Sequence, residues 1–62
     1  MNKEEIIQIM LDGVIEDMKY IYTNASISEE ESLQHLEQGQ MSFQYICNNM
    51  YNRLVEKSII NP

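Results

Sequence analysis

Apolar side chains recur every three or four positions through the second half of this chain, at Leu33, Leu36, Phe43, Cys47, Met50 and Leu54, and only Gln40 interrupts the series. That spacing marks one face of an α-helix, whereas a half-buried strand would alternate at every second residue. The series also runs further than the first half of the chain can match. It therefore predicts a helix that needs covering by a second helix and, past the end of that helix, by something else.

The first half supplies the covering helix. Asn2 is a good N-cap, and Glu5 stands three residues on, as in a capping box. Ile7, Leu11, Val14, Met18 and Ile21 then alternate spacings of four and three, with Ile6 and Met10 widening one edge of the face and Ile15 and Tyr22 the other. A face that broad suits a bundle better than a narrow two-stranded seam. These signals predict a helix over about 3–22.

Residues 23–28, Thr-Asn-Ala-Ser-Ile-Ser, read as a connector, because Ser28 and Glu31 form a second S-x-x-E capping box and the short polar side chains before it favour a turn. A second helix is expected over about 29–57, followed by a tail over 58–62 in which Asn61 and Pro62 end the helix. A connector this short makes the two helices antiparallel neighbours.

Gly39 offers a choice. Glycine within a helix costs about 1 kcal/mol relative to alanine and often marks a C-terminus, which would leave a third helix from about Gln40 to Lys57. Yet the apolar phase is the same before Gly39 (Leu33, Leu36) as after it (Phe43, Cys47, Met50, Leu54), and a loop would normally lose it. The phase favours one long helix, kinked or straight. In an antiparallel hairpin Gly13 and Gly39 fall near the same level, where two glycines could let backbones approach closely.

A chain of 62 residues is one domain. A domain near this size buries only about 60% of its unfolded surface, and small scaffolds usually add disulfides, a metal or a second subunit. One cysteine makes no internal disulfide, and no Cys and His cluster is present for zinc. Self-association remains. A first helix of about 20 residues spans roughly 30 Å and a second of about 29 spans roughly 43 Å. The overhang is expected to hold Met50, Tyr51, Leu54 and Val55, with Ile59 and Ile60 behind them. The expected fold is all-α, an antiparallel helical hairpin assembling as a homodimer into a four-helix-type bundle, with Phe43, Cys47, Met50 and Leu54 as the self-association residues.

The net charge of −6 opposes direct binding to nucleic-acid phosphate or to anionic membrane surfaces. Its distribution is uneven: residues 1–37 hold nine of the ten acids against Lys3 and Lys19, while residues 38–62 hold only Glu56 against Arg53 and Lys57. Much of this complements the helix dipole, since Glu4, Glu5 and Glu29 to Glu31 sit at predicted N-termini and Arg53 and Lys57 near a C-terminus. Glu4 and Glu5 stand where a secretory signal would be basic, and no stretch approaches the length of a membrane span. With a lone cysteine, the expected compartment is the reducing cytoplasm.

Chemical machinery is thin. His35 has Glu31 one turn before it, but Ser32 stands where the E-x-x-H motif of a di-iron bundle needs glutamate. Cys47 lies on the apolar seam, three turns from His35, and reads as a small buried hydrophobe. The two glycines are isolated, so no phosphate loop forms. Asp12 and Glu16 lie on a polar face, outside any pocket that could tune them. No catalytic residue, metal or cofactor is expected, and the chain is not read as an enzyme. Tyr20, Tyr45 and Tyr51 fall off the central seam and are the candidates for contact with another protein, joined by Asn48, Asn49 and Asn52.

The expected function is that of a small acidic protein-binding regulator or adaptor, docking on and modulating a larger protein such as a transcription or replication factor. The abundance of Ile, Asn, Lys and Tyr over Ala and Gly points to a phage or mobile element of a low-GC bacterium. One alternative is a nucleic-acid mimic, with Asp12, Glu16, Asp17 and Glu29 to Glu31 as its charge rows. The other is a purely structural oligomerisation module.

Overall fold

A computed structural model describes residues 1–61; Pro62, expected to close the tail, lies outside the described residues. Among the described residues there are two helices, α1 (Lys3–Asn24) and α2 (Glu29–Glu56), and no strand. Lys3 lies beside Tyr51 and Tyr22 beside His35, so the helices run antiparallel as a hairpin. Its dimensions are 41 × 19 × 17 Å.

Both helices begin where the capping signals place them. The Glu5 backbone N–H donates to Asn2 Oδ1 at 2.9 Å, and the Glu31 N–H donates to Ser28 Oγ at 3.2 Å. Each bond satisfies one of the orphan donors of a first helical turn. Glu4 and Glu5 on α1, and Glu29 to Glu31 on α2, place carboxylates at the positive ends of the two dipoles.

The two ends share a device that the sequence reading did not anticipate. At the end of α1 the Ile27 N–H reaches Tyr22 O at 3.1 Å and the Ser26 N–H reaches Thr23 O at 3.1 Å. At the end of α2 the Ile59 N–H reaches Leu54 O at 2.9 Å and the Ser58 N–H reaches Val55 O at 3.0 Å. Each pair is a Schellman motif. Ser26 and Ser58, both at φ 59°, take the left-handed position where glycine is usual, and an isoleucine follows each. The motif lets α1 run two residues past the expected Tyr22, leaving residues 25–28 as the connection, and it stops α2 at Glu56 with Lys57 as its cap.

Gly39 does not interrupt α2. A Cβ there would lie 2.8 Å from the Phe43 ring, so the ring folds back over the glycine one turn earlier. A Cβ on Gly13 would meet nothing within 4 Å. Neither glycine is thus held by close approach of the other helix's backbone.

Between the helices, Leu11 of α1 meets a line of Leu36, Cys47 and Tyr51 on α2, and these four are the buried apolar residues among those described. Ile7, Val14, Ile15, Met18, Phe43 and Leu54 flank them, half-buried. The line differs from the expected series. From Leu36 to Cys47 is eleven residues and from Cys47 to Tyr51 is four, a spacing near the ordinary 3.6 per turn rather than the 3.5 of a heptad. By the open end the contact line has consequently turned off Met50, which stays 44% exposed, and onto Tyr51, which is 5% exposed. Leu33 lies at the mouth of an open groove near the turn, beside Lys19, Thr23, Ile27 and Leu36, and remains half exposed.

Candidate functional surface

The groups that could carry chemistry are kept apart by the fold. Cys47 has no exposed surface: it sits in the middle of the interhelical line. His35 is exposed on α2 and packs its ring 5.6 Å from that of Tyr22. Twelve residues of helix separate the two, about 18 Å along the axis. No group of three or more His, Cys, Asp or Glu side chains is placed to hold a metal ion among the described residues. No helix among them is long and apolar enough to cross a membrane.

The three candidate contact tyrosines are dispersed. Tyr20 on α1 and Tyr45 on α2 are open to solvent, at 71% and 68% exposed. Pairing of Lys3 with Tyr51 places Tyr45 level with the region of Ile9, so Tyr20 lies about 16 Å further along the axis. They do not form one patch within a single chain. Tyr51 departs from expectation. It is part of the core, with Lys3 Nζ 5.5 Å from its ring centroid, and is corrected from a contact residue to an anchor of the open end.

The four residues expected to drive self-association divide in the same way. Cys47 is enclosed by its own hairpin and can touch no second copy without opening it. Phe43 and Leu54 are half-buried, and Met50 is the most exposed of the set. The overhang is also smaller than expected, because the helices differ by six residues, 28 against 22, or about 9 Å. Tyr51 lies under α1 rather than beyond it.

On the outer surface of α2, sequence reading found Tyr45 but missed Met41 and the charge-free stretch around it. From Gln38 to Asn52 there is no Asp, Glu, Lys or Arg, in a chain whose net charge is −6. Within this stretch Met41 is 84% exposed and stands one turn from Tyr45. Gln38, Ser42 and Asn52 are exposed around them. The signal was legible as a gap in the charge pattern. Only the helix geometry shows that Met41 and Tyr45, within this gap, face water while Cys47 and Tyr51 face inward.

Comparison with protein-family models, with curated proteins and with solved structures returned no match for this chain.

Proposed function

We propose that this chain is a small acidic protein-binding regulator that acts as a homodimer in the cytoplasm and docks on a larger protein, with a transcription or replication factor as the expected class. The observation that carries this reading is the uncharged outer face of α2 with Met41 and Tyr45 at its centre. Charged residues are depleted, and tyrosine and methionine enriched, at the centres of protein interfaces. Methionine also adapts its shape to a partner. Tyr20, separated from this face, serves as a secondary contact. Catalysis, cofactor binding and direct contact with nucleic acid have no part in the proposal, and a phage or mobile-element origin remains part of it.

The test is affinity capture from the source organism with the wild type and with a Met41→Ala, Tyr45→Ala double variant. Both substitutions lie on exposed positions and should leave helicity intact. Proteins retained by the wild type and lost by the double variant identify the partner. Equal retention by both, or specific duplex binding by the purified protein at physiological salt, refutes the reading.

A second reading has its own observation. Glu5, Asp12 and Glu16 lie on one exposed face of α1, and Glu29 to Glu31 are exposed on the first turn of α2. Such rows suit a nucleic-acid mimic. Partner binding that weakens steeply with salt supports mimicry, whereas salt-tolerant binding supports the uncharged face. A module that binds only itself is the outcome if nothing is captured.

A further inference from the structure

We infer that one long side of the hairpin is the seat of a second copy of this chain, packed head to tail across a two-fold axis perpendicular to the helices. The inference rests on the homodimer proposed above and specifies its face and orientation. A folded monomer of 7.3 kDa exposes about 4,200 Å² by the usual scaling of surface with mass. This hairpin exposes 5000 Å². The excess, roughly 800 Å², matches one partner's share of a standard protein interface.

The face follows from helix geometry. Gln8 of α1 and Gln44 and Asn48 of α2 line the same cleft on one side of the hairpin. Two positions along a helix is a rotation of about 200°. Ile6 and Met10, two positions either side of Gln8, therefore lie on the opposite side. So do Ile46 and Met50, two positions beyond Gln44 and Asn48. Ile46 and Met50 are 50% and 44% exposed, and Ile6 and Met10 are half-buried. The antiparallel pairing sets Ile6 level with Ile46, and Met10 level with Phe43. Together they make an apolar patch without a charge inside it. Gly13 borders it with open space where a side chain would be.

Charge decides the orientation. The half of the hairpin nearer the turn, residues 14–38, carries six acids (Glu16, Asp17, Glu29, Glu30, Glu31, Glu37) against Lys19. The open half carries Lys3, Arg53 and Lys57 against Glu4, Glu5, Asp12 and Glu56, so its net charge is −1 where that of the turn half is −5. A two-fold axis along the helices would set the six acids of one copy beside the six of the other. An axis across the helices, through the patch, places apolar on apolar equally well and carries Arg53 and Lys57 of each copy toward Glu29, Glu30 and Glu31 of the other. The strongly acidic half of each copy then meets the nearly neutral half of the other, which lowers the repulsion, so the axis lies across. In that arrangement α1 faces α1, and Met10 sits near its own copy. With the axis along the helices, α1 would face α2, and Met10 would sit across from Phe43.

The experiment uses the whole chain. Wild type at about 100 µM is expected to scatter light with the mass of two chains, and Ile46→Glu that of one chain with its helical circular dichroism kept. Met10→Cys is expected to form a covalent dimer with itself on mild oxidation, while wild type, whose only thiol is enclosed, does not. A wild-type monomer overturns the inference together with the homodimer, leaving capture of a partner by α2 to be judged separately. A two-chain mass with crosslinking only between Met10→Cys and Phe43→Cys chains overturns the orientation alone. A two-chain mass with no crosslink in either experiment overturns the face. Should Ile46→Glu fail to fold, the crosslinks decide.

Discussion

The two helices solve the same problem in opposite ways. α1 keeps carboxylates along its outer face, at Glu5, Asp12 and Glu16, so that water covers it. α2 leaves its middle turns free of charge and exposes Met41 and Tyr45 instead. Both bury one apolar stripe against the other. The difference lies entirely on the surfaces turned away from the hairpin, where stability makes few demands. It teaches that the hairpin accounts for the inward residues of α2 and does not account for its outward ones, which is where the proposed docking role applies.

The sharpest way to break that comparison is within α2. Tyr51 and Tyr45 lie six residues apart, one buried and one exposed. Tyr51→Ala is expected to cost about 3 kcal/mol, by analogy with buried aromatic truncations, and to unfold much of the population. Tyr45→Ala should change stability by less than about 0.5 kcal/mol. Thermal melts followed by circular dichroism read both, and similar losses would show that the outer face is structural after all.

A smaller effect separates the helix starts from the helix bodies. Ser28→Ala removes the acceptor of the Glu31 N–H and is expected to cost about 1 kcal/mol. A change indistinguishable from zero would place the start of α2 under the control of the turn instead. The glycines give a further contrast. Gly13→Ala should stabilise by up to about 1 kcal/mol, since nothing stands where the new methyl would go. Gly39→Ala should gain less, because the Phe43 ring must move aside. Equal gains in dilute protein would mean that the ring shifts freely. The smallest effect is expected from Ser26→Gly, which relieves a left-handed serine at the end of α1 and should raise stability by about 0.5 kcal/mol. Chemical denaturation midpoints resolve a change of that size.

The sequence disclosed the helices and both starts, because Asn2 and Ser28 act through bonds only three residues long. It also favoured an unbroken α2, since the apolar phase across Gly39 leaves no room for a loop. The stops were harder to read: serine at Ser26 and Ser58 does what glycine usually signals, and its cost is visible only as a backbone angle. The identity of the core was harder still. Met50 and Tyr51 are neighbours on one wheel, and which of them faces inward depends on where α1 crosses, a fact stored in no local pattern. The candidate surface was half visible. Tyr20 and Tyr45 read correctly as exposed, but their separation along the hairpin follows from the antiparallel pairing alone.

Cys47 turns the hairpin into its own clock. Its sulfur is closed to solvent while the helices stay together, so a thiol reagent can reach it only during an opening. When closing is fast relative to labelling, the labelling rate is the rate for a free thiol scaled by the equilibrium fraction of open molecules. A single reaction with that reagent, followed without denaturant, therefore reports what fraction of the molecules have their helices apart.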